Sequence, residues 1–146
     1  MLNAAVIGLG WWGKQIVTCL SNSQIINVTH GVDVDVESVS NFAVKNDLCI
    51  YDSYDNVLLN PQIDAVILVT PHLLHEEQVI AAANSGKQIF CEKPFALNKI
   101  AAKRMLAACE ENNIIVGIGH ERRFEPALEA MKNYNDRGKL GTLIHM

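Results

Sequence analysis

Ala4-Ala5-Val6-Ile7-Gly8-Leu9-Gly10-Trp11-Trp12-Gly13 decides the fold. Four apolar residues make a run of strand length that ends abruptly at a glycine. A helical pattern follows directly, with Ile16, Val17 and Leu20 on one side and Ser21-Asn22-Ser23 as its stop. Between the two lies G-x-G-x-x-G. The spacing alone is weak, but a strand before it and a helix after it are the context in which such a loop holds a pyrophosphate. Gly8 permits the tight turn, Gly10 lets the backbone approach a phosphate, and Gly13 lets the helix pack closely on the strand. The helix N-terminus adds N–H donors and positive potential.

Downstream, Ile26 to Val32 alternates as a strand that ends at Asp33, about 20 residues after Gly13. A carboxylate there can accept hydrogen bonds from both adenosine ribose hydroxyls. A 2′-phosphate would meet a negative charge, and Val34 and Asp35 supply no compensating Lys or Arg, so NAD is favoured over NADP. Asp35 is a rival for the same role. S-adenosylmethionine also fits a glycine loop on a nucleotide-binding sheet, so these features alone do not name the cofactor. Trp11 and Trp12 offer flat apolar faces to a nucleotide, or to a neighbouring domain or subunit.

The same alternation continues along the chain. A helix over Glu37–Lys45 precedes a weak strand Cys49–Tyr51 and a short helix with Ser53 as its cap. Ala65–Val69 is the clearest strand, followed by a helix from about Leu73 to Asn84 that stops at Ser85-Gly86. Gln88–Cys91 makes a fifth strand. Asn98 caps a helix ending near Asn112-Asn113, and Ile114–Ile118 is the sixth strand. Six strands joined by helical crossovers predict an α/β fold, a doubly wound parallel sheet in three αβα layers with order 3-2-1-4-5-6.

Composition agrees. The 146 residues are 49% hydrophobic and 19% charged, enough for the core of one domain and too few charges for disorder. A net charge of −4 argues against nucleic acid as a partner. No apolar run is long enough for a bilayer, and no basic residue precedes the N-terminal apolar stretch as in a signal peptide. Cys19, Cys49, Cys91 and Cys109 form no C-x-x-C pair and have apolar neighbours, so they read as reduced thiols acting as small hydrophobes, with no metal site. A cytoplasmic protein is expected.

Three further strand ends carry signals: Thr70-Pro71-His72-Leu73-Leu74-His75, Glu92-Lys93-Pro94, and Gly119-His120-Glu121-Arg122-Arg123-Phe124-Glu125-Pro126. With the glycine loop, this set closely resembles the glucose–fructose oxidoreductase / inositol dehydrogenase (Gfo/Idh/MocA) family of NAD(P)-dependent oxidoreductases. The resemblance runs from Met1 to Met146 and covers that family's N-terminal Rossmann domain. It implies a cofactor-binding unit over residues 1–121. Residues 122–146 would then be a connecting helix and the first strand of a second domain, entered at Gly138-Lys139-Leu140-Gly141.

The resemblance also assigns roles. Lys93 would stand beside the nicotinamide and hydrogen-bond the reacting oxygen of a sugar or polyol, where negative charge develops as hydride leaves the carbon. Glu92 would hold the lysine loop or contact the nicotinamide ribose. Pro94 would fix the turn, often through a cis peptide bond. Thr70 and Pro71 would lie along the cofactor. His75 would line the cleft or bond the turn above it. Arg122 or Arg123 would meet the nicotinamide end or pair with Glu121 or Glu125; Arg123 is the one assigned to the cofactor. Gly8, Leu9, Gly10, Trp11, Trp12, Gly13 and Asp33 complete the cofactor set. The family's second domain, with its catalytic Asp-x-x-x-His element, has no counterpart in these residues, and His145 is only a strand residue. Two functions follow: the cofactor half of a dehydrogenase, here expected to homo-oligomerise, or a binding module that holds NAD without catalysis.

Overall fold

The parallel sheet follows from strands that are apolar on both faces, as helix-covered strands must be. The computed structural model describes residues 1–142. Its strands are β1 (Leu2–Ile7), β2 (Ile26–Val32), β3 (Cys49–Tyr51), β4 (Ala65–Leu68), β5 (Gln88–Glu92) and β6 (Val116–Gly119). They pair in parallel throughout, in the order β3-β2-β1-β4-β5-β6. The helices are α1 (Trp11–Leu20), α2 (Val36–Lys45), α3 (Tyr54–Leu58), α4 (His75–Asn84), α5 (Lys99–Glu111) and α6 (Pro126–Asp136).

Strand periodicity divides the core in two. Ala5 and Ile7 of β1, Val66 and Leu68 of β4, and Ile89 and Cys91 of β5 meet α4 through Val79, Ala82 and Ala83 and α5 through Met105, Ala108 and Cys109. On the other face Ala4, Val6 and Ile67 meet Val17 of α1 and Val39 and Ala43 of α2. That second layer stops short. Over β5 and β6 the same face carries Phe90, 38% exposed, with Gly117 beside it. The helix that leaves β6, α6, has no buried residue and packs on little beyond the turn before it.

Local chemistry sets the boundaries. Asp35, Ser53 and Asn98 cap α2, α3 and α5 by accepting N–H bonds from Ser38, Asp55 and Ala101. α1 starts at Trp11, earlier than the apolar stripe marks, because extended Gly10 is its N-cap. After Pro71 the chain makes a 3-10 turn, His72–Leu74, before α4 begins at His75. β6 starts at Val116 and not at Ile114: Asn113 turns with φ 57°, and the Ile114 N–H returns to the Cys109 carbonyl to finish α5. All four cysteines are free, but only Cys91 and Cys109 are buried. Cys19 and Cys49 are exposed, so of the thiols expected to act as small hydrophobes only Cys91 and Cys109 pack in the core. Thr142 lies in a bend, and the rest of the strand expected over 142–146 lies outside the described residues.

Candidate dinucleotide site at the strand ends

Strand order reverses between β1 and β4, and a crevice at the carboxyl ends of the strands follows from that reversal. The glycine loop occupies it. Gly8 has φ 95°, and its N–H bonds the Val32 carbonyl at 2.8 Å, so the loop leaves β1 anchored to β2. A Cβ on Gly13 would lie 2.0 Å from the Gly8 carbonyl oxygen, so α1 can rest on the loop only because residue 13 has no side chain. A Cβ on Gly10 would meet nothing within 4 Å. No side chain caps α1, and its first turn holds no acidic residue. Its first N–H groups are therefore left without a side-chain acceptor, at the positive end of the helix dipole.

Asp33 closes the loop's other side. Its Oδ2 accepts the Leu9 N–H at 2.8 Å and its Oδ1 accepts the Asp35 N–H at 3.0 Å. Each oxygen keeps acceptor capacity. The Asp35 carboxylate is turned to capping α2 at Ser38, which separates the two rivals by task. Val34, 96% exposed, gives no cation beside Asp33. Leu9 is a correction to the expected cofactor set. Its side chain is 1% exposed in the core, where Gly31 makes room for it, and its N–H already serves Asp33.

Further along the edge, Trp11 is 73% exposed and stacks on Trp12 with ring centroids 5.5 Å apart. Trp12 is half-buried and donates its indole N–H to Glu92 Oε1 at 2.7 Å. Glu92 Oε2 accepts the Lys93 N–H at 3.1 Å, so of the two roles expected for Glu92 the contacts seen are those that hold the lysine loop. The Lys93–Pro94 peptide bond is cis, as expected of that turn. Thr70 donates its hydroxyl to Gln78 Oε1 at 2.5 Å, and Pro71 is exposed beside it. His75 is wholly buried. Its Nδ1 lies 2.9 Å from the Pro94 carbonyl oxygen and its Nε2 lies 3.0 Å from that of Thr70. With both ring nitrogens occupied it has no edge for a ligand, so the expected cofactor contact gives way to a tie between two strand-end turns. Cys91, beneath that turn, has its thiol pushed up to about 12 by burial and then by the Glu92 charge. It is an inert packing group.

Lys93 is exposed and faces an open cleft of about 540 Å³ lined also by Gly119, His120, Glu121, Arg122 and Arg123. Neither arginine pairs with Glu121 or Glu125; the ion pairs among the described residues are Arg104 with Glu76 and Lys132 with Asp136. The structure thus brings the glycine loop, Asp33, Thr70, Glu92, Lys93 and Arg123 to one edge. Gln78 and the indole of Trp12 as a hydrogen-bond donor escaped the sequence reading, because only tertiary contacts give them partners. Among the described residues no three His, Cys, Asp or Glu side chains gather as a metal site, and no helix is long and apolar enough to cross a membrane.

The model of the Gfo/Idh/MocA oxidoreductase family, described by its NAD-binding Rossmann fold, matches residues 2–120. The chain belongs to this family. Within the Gfo/Idh/MocA proteins, it is 35% identical over 148 residues to the scyllo-inositol 2-dehydrogenase (NAD(+)) of Bacillus subtilis, covering 99% of this chain and 43% of that protein. It is 30% identical over 142 residues to the D-xylose 1-dehydrogenase [NADP(+)] of Haloarcula marismortui, covering 94% of this chain and 39% of that one. The solved structure of myo-inositol 2-dehydrogenase from Lactobacillus plantarum superposes with a TM-score of 0.91 at 29% identity, over 98% of this chain and 43% of the other. The chain spans about two fifths of the length of the curated relatives it matches. Its Rossmann fold binds NAD or NADP in the family, and relatives of both kinds occur.

Proposed function

We propose that this chain holds NAD, in preference to NADP, as the cofactor-binding part of an oxidoreductase acting on a sugar, polyol or related alcohol. The observation that carries the reading is the joined unit of glycine loop and Asp33. Open space over Gly10, unpaired N–H groups at the start of α1 and a carboxylate with spare acceptor capacity suit a pyrophosphate and a ribose diol in turn. A 2′-phosphate would sit against Asp33 with no nearby cation. The relatives' named substrates, inositols and xylose, support a hydroxylated substrate.

When bound, NAD supplies the hydride acceptor. The chain's own part is to aim and polarise. Lys93, exposed in the open cleft, donates a hydrogen bond to the alcohol oxygen and stabilises the charge that grows there. Arg123, on the same cleft, faces the nicotinamide end. Thr70 and Pro71 border the path between, and Trp11 or Trp12 covers a flat face of the nucleotide. Residues 1–121 form the cofactor unit in this reading, and residues 122–146 lead to a second domain that walls the substrate. We further propose a cytoplasmic homo-oligomer, the compartment being one in which four unpaired thiols stay reduced.

Calorimetric titration with NADH, NADPH and S-adenosylmethionine tests the reading. NADH should bind most tightly. Preference for NADPH would remove the role given to Asp33, and binding of S-adenosylmethionine alone would remove the oxidoreductase reading.

A further inference from the structure

Trp12 and Glu92 stand 80 positions apart in sequence, yet the indole N–H meets the carboxylate at 2.7 Å. Trp12 is the second residue of α1, within the glycine loop, and Glu92 ends β5 immediately before Lys93. Glu92 is 8% exposed. A carboxylate so withdrawn from water needs donors to replace lost hydration. It has two, one from each side: Trp12 on Oε1 and the Lys93 backbone N–H on Oε2. Space for it is provided by β6, since a Cβ on Gly119 would come within 2.6 Å of Oε1. One charged group thus ties the start of the phosphate-loop helix to the turn that carries the lysine, under the end of a third strand.

We propose that Trp12 is a positioning residue for Lys93, acting through Glu92. The inference rests on the reading of Lys93 as the residue that faces the reacting oxygen, and adds what holds it there. The indole N–H fixes the carboxylate, and the carboxylate fixes the Lys93 amide and with it the direction in which the side chain leaves the turn. The glycine loop and the lysine turn then move as one body, so a dinucleotide seated on the first is registered at the second. Trp11, exposed and touching this arrangement only by stacking on Trp12, has no such part.

The test is amide and indole hydrogen exchange, followed by NMR on the ¹⁵N-labelled chain with and without NADH, in the wild type and in Trp12→Phe, Trp11→Phe and Glu92→Gln. In the wild type the Trp12 indole N–H should exchange far more slowly than that of Trp11. Trp12→Phe should speed exchange of the Lys93 amide by about tenfold, the scale of a lost hydrogen bond to a charged group, and Trp11→Phe should leave it unchanged. At saturating concentration, NADH should shift the Lys93 amide signal in the wild type, and Trp12→Phe should reduce that shift by at least half. Glu92→Gln presents one oxygen and one NH₂ where two acceptors are needed, so it must free either the indole or the Lys93 amide. Unchanged Lys93 exchange in Trp12→Phe would overturn the proposal. If that variant does not fold, Glu92→Gln decides: full protection of both N–H groups would overturn the proposal equally. Failure of NADH to bind at all would defeat the functional reading instead, and the exchange results in the free chain would still judge the positioning role.

Discussion

The two ends of the sheet's carboxyl edge are built by different means. At the β1–β2 end the backbone makes the site: a glycine with φ 95°, a helix resting on a carbonyl, and N–H groups held by Asp33. At the β5–β6 end side chains line it: Lys93, Arg122 and Arg123 stand exposed in an open cleft, with the Lys93 backbone N–H bonded to one buried carboxylate. The first end is closed and defined before any ligand arrives. The second is a single wall. A backbone site tolerates little change in shape and much in neighbouring side chains, and a side-chain site does the reverse.

The sharpest way to break this contrast is a pair of alanines in the loop. Gly13→Ala places a methyl 2.0 Å from a backbone oxygen that cannot move aside cheaply, and should cost about 3 kcal/mol of stability, with cofactor binding lost. Gly10→Ala puts its methyl in open space and should leave stability within about 1 kcal/mol. It should still weaken NADH binding, since that space is where a phosphate is to lie. Urea denaturation and calorimetry on both variants measure the two effects. Equal stability losses would mean that the loop is not built as described.

At the other end the expected effects are smaller. Lys93→Ala removes an exposed side chain and should change stability by less than about 0.5 kcal/mol in thermal denaturation. A large loss would place Lys93 among the structural groups. Thiol labelling sharpens the comparison between surface and interior. Cys19 and Cys49 should react with an aromatic disulfide reagent near neutral pH, whereas Cys91 and Cys109 should react only on unfolding, because burial raises both thiols above the ordinary range. Rapid reaction of all four thiols in the native state would contradict the core packing.

The backbone end was the legible one. G-x-G-x-x-G between a strand and a helix states its own geometry, and Asp33 at the end of an alternating strand completes it. The sequence favoured Asp33 with Asp35 as its rival, and it could not foresee that the Asp35 carboxylate caps α2 while Asp33 joins the loop. Leu9 shows a limit of a motif: it lies inside the pattern but turns into the core, and no spacing rule distinguishes the two outcomes. His75 shows another. A histidine one turn beyond a strand end reads equally as ligand or strut, and only its two carbonyl neighbours decide for strut. The bare face over Phe90 and Gly117 was invisible for a similar reason, since amphipathic α6 has the pattern of a covering helix but none of its residues is buried. The Trp12–Glu92 bond joins residues too far apart in sequence for any local pattern to pair them.

The central claim is that Asp33, and not the rest of the loop, selects the cofactor. NADH and NADPH affinities of the wild type and Asp33→Ser, measured side by side by calorimetry, test it most directly. The wild type should prefer NADH. Asp33→Ser should weaken NADH by about 1–3 kcal/mol, the worth of hydrogen bonds to a charged group, and should narrow or reverse the preference as the repulsion of a 2′-phosphate disappears. Unchanged affinity for both cofactors, in a variant shown to be folded, would contradict the account.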